Sequence, residues 1–178
     1  VESDPEIDIP ENIRLVASHV NARCAEYGVQ RPAILMEPGR SIVANAGITL
    51  YTVGSVKTID GYRNYVSIDG GMSDNPRYAL YKSPYTVVLA NRASEKADFL
   101  CTIAGRCCES GALIQENVTL PRPTRGDILA VLVTGAYNYS MASNYNRICR
   151  PPIVILSHGK DRLAVRRETF ADLTACDL

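Results

Sequence analysis

Near residue 40 the apolar residues of this chain change their period, and that change limits the fold more than any other feature of the sequence. Before it, Ile13, Val16, Ala17, Val20 and Cys24 recur at helical spacing and lay one apolar stripe along a helix. Pro10 suits the first turn of that helix, Gly28 can close it, and Pro32 confirms the stop. Ala33-Ile34-Leu35-Met36 is then a short continuous apolar run, as expected of a parallel strand buried on both faces. It leads into Glu37-Pro38-Gly39-Arg40.

Beyond residue 40 the apolar segments are short, rich in β-branched and aromatic residues, and separated by turn signals. Residues 48–59 alternate, with Thr49, Tyr51, Val53, Ser55 and Lys57 on one parity, and end at the turn pair Asp60-Gly61. That pattern predicts a half-buried strand entering a hairpin. Further strands are expected at 64–68, 86–90, 97–104, 127–133, 153–157 and 163–168, with a terminal helix at 169–176. The spacing predicts a mainly β domain over 41–178, an antiparallel β-sandwich or Greek-key barrel-like sheet.

Charge excludes several classes of partner. Lys plus Arg equals Asp plus Glu at 19 each, so no overall field draws in nucleic acid or an anionic membrane. Charged residues interrupt every apolar run before it reaches membrane-spanning length, and the acidic start Val1-Glu2-Ser3-Asp4 does not read as a signal peptide. A cytoplasmic location is expected. The six cysteines are then expected to be reduced, and zinc is disfavoured because no C-x-x-C occurs and His19 and His158 stand apart from the cysteines. Asn117-Val118-Thr119 and Asn138-Tyr139-Ser140 fit the glycosylation rule without a secretory context, and Arg125-Gly126-Asp127 reads as a turn before a strand.

Four segments carry candidate chemistry. Gly105-Arg106-Cys107-Cys108-Glu109-Ser110-Gly111 sets a thiol beside a carboxylate in a tight loop, a pair able to transfer protons near neutral pH. Taken alone it reads more readily as a turn with two packed cysteines. In Glu37-Pro38-Gly39-Arg40, a carboxylate can hold a proton on a pyridine nitrogen, while arginine and a close glycine backbone can hold an anionic group. The segment 69–81 places glycines, Ser73, Asp74 and Asn75 before Arg77, with Tyr81 four residues on, and can present the arginine fork to a carboxylate. Gly135-Ala136-Tyr137 and Asn144-Tyr145-Asn146 form a tyrosine-rich stretch.

In this order and spacing, from about Ile9 to about Leu156, the four segments resemble the diaminopimelate decarboxylase family, pyridoxal-phosphate enzymes of the alanine-racemase-like group. The resemblance implies that residues 1–40 are the tail of a truncated cofactor-binding (β/α)8 barrel. A whole barrel of on the order of 250 residues would not fit in this chain beside the β domain. It also implies that the lysine holding the cofactor covalently lies in the missing part, because Lys57, Lys82, Lys96 and Lys160 have no matching context. The chain by itself is then expected to be inactive.

The family's roles carry over residue by residue. Glu37 is implied to contact the pyridine ring, and Pro38, Gly39 and Arg40 to lie against cofactor and substrate. Arg77 and Tyr81 are implied substrate contacts that favour diaminopimelate over ornithine or arginine. Cys108 is the implied proton donor after CO2 leaves, Glu109 the contact for the substrate's distal amino group, and Tyr137 a contact to both cofactor and substrate. The Cys-Glu pair acts in the partner subunit's site, which implies a homodimer. Cys107 reads as packing, and Ala112 stands where the family frequently has Asp, a departure that bears on the loop's supporting hydrogen bonds. The alternatives are a related decarboxylase of the ornithine, arginine or carboxynorspermidine type, and a catalytically silent homologue or dimerisation domain.

Overall fold

Residues 8–178 are described by a computed structural model. They fall into two compact units that divide between Pro38 and Gly39. The first is built on helix α1, Ile9–Tyr27. Asp8 caps it by accepting the Glu11 N–H at 2.9 Å, and Pro10 sits in the first turn where an N–H would be unpaired. Gly28 ends it in the left-handed region, φ 62°, a conformation that costs glycine little. The predicted stripe is only partly covered, with Cys24 buried, Ala17 and Val20 half-buried, and Ile13 and Val16 exposed. Ala33–Met36, expected as a strand, has no strand partner among the described residues, and Leu35 is 92% exposed. A strand exists through its neighbour's ladder, and the apolar run alone supplies none.

The second unit holds a six-stranded sheet: β1 Ile48–Ile59, β2 Arg63–Ile68, β3 Val87–Leu89, β4 Phe99–Ala104, β5 Leu113–Leu120 and β6 Ile128–Leu132, in the order β3-β6-β1-β2-β4-β5. β1 keeps the predicted boundaries, and its Tyr51 and Val53 parity faces inward. A bulge between Val53 and Val56 then moves the inward role to Val56. Tyr51, Val53, Val66, Ile103, Ile114, Leu129 and Val131 belong to the core. Tyr85 N–H donates to Gln115 Oε1 at 2.8 Å, joining the approach to β3 with β5, so the sheet nearly closes into a barrel.

Two features depart from the expected antiparallel pattern. β5 falls outside the predicted strands because Gln115, Glu116 and Asn117 interrupt its apolar residues, Asn117 at φ 55°. The other is the β2–β4 pair, which is parallel. Because β1 is antiparallel to both β2 and β6, the strands β2, β4 and β6 all run one way. Their C-terminal ends therefore share one end of the sheet with the start of β1. The loops leaving those ends are 69–76, 105–112 and 133–147, and the segment entering β1 begins at Gly39.

A separate hairpin, β7 Ile153–Ser157 with β8 Lys160–Val165, turns through His158 and Gly159, both at positive φ, as a two-residue hairpin turn requires. The expected terminal helix is shorter than 169–176: its helical residues are Phe170–Leu173, with Thr169 and Asp172 forming a capping box. No helix among the described residues is long and apolar enough to cross a membrane.

Candidate active site

Three short helical or loop segments assemble at the shared end of the sheet. The first is helix α2, Arg40–Val43, which runs through a 3-10 turn at Ala44–Ala46 into β1. It is fastened to the segment leaving β6: Gly135 N–H donates to Ala44 O at 3.0 Å and Thr134 N–H to Gly47 O at 2.9 Å. Gly135 is packed so closely on the Val43 carbonyl that a side chain there would overlap it. This seam brings Tyr137 to Gly39, where a methyl group on the glycine would lie 2.7 Å from the phenol oxygen.

The second segment is the loop leaving β2 and helix α3, Arg77–Tyr81. Asn75 Oδ1 accepts the Arg77 N–H at 3.3 Å. Tyr78, on the buried side of α3, donates its hydroxyl to Glu116 Oε2 at 2.5 Å, and Arg63 takes the other oxygen of that carboxylate. Burial, then Glu116, pushes the Tyr78 phenol up to about 12. The hydrogen bonds from Tyr78 and then Arg63 hold Glu116 below its ordinary range. With α3 pinned this way, Arg77 points its guanidinium over the rings of Tyr81, 5.2 Å away, and Tyr137, 5.6 Å away.

Arg77 Nη2 reaches Ser83 Oγ at 3.3 Å, but its Nε is buried with no hydrogen-bond partner among the described residues. Arg40 Nη1, Asn75 Nδ2 and Asn138 Oδ1 are in the same condition. A buried donor without an acceptor costs free energy, so the unspent Nε of Arg77 and the two phenols facing it form a site suited to an anionic or carboxylate-bearing occupant. They fit a phosphorylated pyridine cofactor and an amino-acid substrate.

The third segment is the Cys-Glu loop between β4 and β5. Cys107 is buried and Cys108 exposed, which agrees with packing for the first and leaves the second accessible. Glu109 Oε1 accepts from Gly111 N–H at 3.0 Å and Ser110 Oγ at 3.4 Å. Ala112 offers no side-chain bond, and the loop is held through its backbone instead. Gly105 N–H donates to Ala112 O at 2.6 Å and Ala112 N–H to Glu109 O at 3.0 Å, while the Ala112 methyl is buried. A methyl at Gly111 would meet Ala79 Cβ of α3 at 3.8 Å.

These segments belong to one assembly. Ser143 N–H donates to Ser73 O at 2.7 Å, and Arg106 N–H to Gly70 O at 2.8 Å, so the loop leaving β2 touches both the loop leaving β6, to which α2 is fastened, and the Cys-Glu loop. Among the residues singled out in the sequence, Gly39, Arg77, Tyr81 and Tyr137 come together directly. Glu37 and Pro38 are exposed and belong to the α1 unit. The sequence assigns no role to Tyr51, Asp74, Tyr78 or Glu116, because nothing local pairs a phenol with a carboxylate more than twenty residues away.

Residues 14–135 match the family model described as the pyridoxal-dependent decarboxylase C-terminal sheet domain. The chain belongs to that family. It is 48% identical over 177 residues to the diaminopimelate decarboxylase of Bacillus subtilis, covering 99% of this chain and 40% of that protein. To the diaminopimelate decarboxylase of Staphylococcus aureus it is 46% identical, covering 99% of this chain and 42% of the relative. Among solved structures, that of diaminopimelate decarboxylase from Helicobacter pylori complexed with L-lysine superposes with a TM-score of 0.82 at 28% identity, over 98% of this chain and 41% of that one. The chain thus spans about two-fifths of the length of the relatives it matches.

Proposed function

We infer that this chain is the β-domain portion of a diaminopimelate decarboxylase, which removes CO2 from meso-diaminopimelate to give L-lysine. The observation that carries this reading is the gathering of Gly39, Tyr81 and Tyr137 with Arg77, whose buried Nε is unspent, at one end of the sheet. Pyridoxal phosphate, when bound, supplies an electron sink for the carbon that loses CO2. Residues 8–40 would close the cofactor-binding barrel of the longer protein, with Glu37 holding the proton on the pyridine nitrogen. Pro38, Gly39 and Arg40 would line the cofactor and the substrate, and Tyr137 would contact both.

Arg77 would bind the carboxylate that remains on the substrate, with Tyr81 beside it. That preference for a second carboxylate favours diaminopimelate over the diamine precursors ornithine and arginine. Cys108 Sγ would deliver a proton to the carbon from which CO2 has left, and Glu109 would take the distal ammonium group. Both would act in the partner subunit's site, so the working unit is a homodimer, in the cytoplasm. The exposure of Cys108 and the self-contained bonds of Glu109 within its own loop support a pair awaiting a partner surface.

The test uses the full-length decarboxylase carrying this chain, loaded with cofactor. Cys108→Ala is expected to keep cofactor binding and lose much of kcat, whereas Cys107→Ala is mild. Mixing Cys108→Ala subunits with subunits lacking the cofactor lysine should restore activity toward about a quarter of wild type, because half of the dimers then hold one complete site. Wild-type kcat in Cys108→Ala would overturn the thiol's role. No restoration despite verified subunit exchange would overturn the shared site.

A further inference from the structure

The arginine loop and the Cys-Glu loop meet glycine on glycine. Besides the Arg106 N–H to Gly70 O bond at 2.8 Å, a methyl group built on Gly105 would stand 2.6 Å from Gly71 Cα and 2.9 Å from Gly70 O. Any side chain there would drive the two loops apart. The position of the Cys-Glu loop therefore depends on what holds Gly70 and Gly71.

They are held from beneath. Tyr51, buried on β1, donates its hydroxyl to Asp74 Oδ2. The other oxygen of Asp74 accepts the Gly71 N–H at 2.8 Å and the Ser73 hydroxyl at 3.3 Å. The Tyr51 ring fills the space that a Gly70 side chain would need. Among the described residues no cation forms an ion pair with Asp74; hydrogen bonds from Tyr51, Gly71 and Ser73 and the charge of nearby Arg106 favour its ionised form, yet burial prevails and pushes the carboxylate above its ordinary range.

Resting on the reading of Cys108 as proton donor, we propose that Tyr51 and Asp74 are positioning residues for that thiol. The pair fixes Gly70 and Gly71, these seat Gly105 and Arg106, and the seat sets where Sγ of Cys108, two residues farther on, stands when the proton is delivered. In this role the phenol and carboxylate act only through the loop.

Tyr51→Phe in the full-length, cofactor-loaded decarboxylase removes one hydroxyl and keeps the ring under Gly70. A reacting group misplaced by on the order of 1 Å can cost about a hundredfold, and a partial loosening is expected to lower kcat roughly tenfold while KM for meso-diaminopimelate stays within about twofold. In a Cys108→Ala background the same change should cost less than about twofold, because the group it aims is gone. If Cys108→Ala is slow and Tyr51→Phe costs the same in both backgrounds, the positioning role is wrong and the thiol's role stands. If Cys108→Ala turns over at the wild-type rate, both fall. Should Tyr51→Phe fail to fold, Asp74→Asn, which keeps an oxygen for the Gly71 N–H, is expected to retain clearly more kcat than Asp74→Ala, and equal losses would overturn the proposal.

Discussion

The two ends of the six-stranded sheet spend their polar groups in opposite ways. At the end where β6 begins, Asp127 accepts from Asn91 Nδ2 at 2.9 Å, Thr124 N–H at 2.8 Å, Thr124 Oγ1 at 3.1 Å and Arg92 Nη1 at 3.0 Å, and Arg92 also grips Glu95. Burial works against that carboxylate's charge, but Asn91, Thr124 and Arg92 outweigh it and hold Asp127 at about 2. At the opposite end Asp74 has hydrogen-bond donors but no ion-pair partner among the described residues, with Arg106 acting only through its charge, so burial prevails and its ionisation is displaced upward. The buried unpartnered atoms of Arg40, Asn75, Arg77 and Asn138 lie at that same end. A closed polar network ties loops down for stability. An open one keeps interaction energy available for something outside the chain.

The largest expected effect belongs to the closed end. Asp127→Ala removes a buried, four-bonded carboxylate and should destabilise the chain by about 2–4 kcal/mol, read by denaturant unfolding. In the full-length enzyme, substrate affinity should be untouched. A loss below about 0.5 kcal/mol would remove the distinction between the two ends. The next effect is functional: Arg77→Ala should lower kcat/KM for diaminopimelate about ten- to a hundredfold, the equivalent of roughly 1.5–3 kcal/mol of charge-assisted contact, with little change in unfolding. Unchanged kinetics would mean that its buried Nε serves the fold rather than a substrate.

Acid sharpens the contrast. Asp127, lowered from 3.8, stabilises the fold fully above about pH 4, and that contribution is lost as pH falls toward 2. Asp74, displaced upward, works with the opposite sign: the folded state favours its protonated form, so the chain gains from it at low pH and loses that gain as pH rises through the raised value. Asp127→Asn should therefore flatten the loss of stability below about pH 4, whereas Asp74→Asn should act above it, removing the fall in stability that accompanies rising pH between about pH 4 and the raised value of Asp74. Identical acid limbs in the two variants would show that the two carboxylates titrate alike.

Local pattern made much of this molecule readable and nonlocal pairing hid the rest. The 3.6-residue stripe and Gly28 gave α1, and alternation with Asp60-Gly61 gave β1, because periodicity and turn chemistry are written in neighbouring residues. β5 escaped because its middle is polar and its register shifts, and the parallel β2–β4 pair because no residue announces the direction of a neighbour far along the chain. The apolar run at 33–36 looked like a buried strand, but burial requires something to cover it. At the site, Arg77, Cys108 and Tyr137 stood out through short motifs, whereas Tyr51 with Asp74 and Tyr78 with Glu116 became visible only when strand pairing joined them.

The smallest effect separates the two parts of one side chain at the open end. Tyr81 is 62% exposed, and its ring, rather than its hydroxyl, faces the Arg77 guanidinium. A cation–π contact at an exposed position is worth about 0.5–1 kcal/mol, so removing the ring in Tyr81→Ala should lower kcat/KM roughly three- to fivefold by freeing the arginine to swing. Tyr81→Phe keeps the ring and should cost less than about twofold, unless the hydroxyl itself binds substrate, where a lost hydrogen bond of about 1 kcal/mol would bring Phe level with Ala. The ratio of the two variants thus assigns the residue. A mild Phe with a worse Ala makes Tyr81 a wall that aims Arg77, and equal losses make its phenol a direct substrate contact.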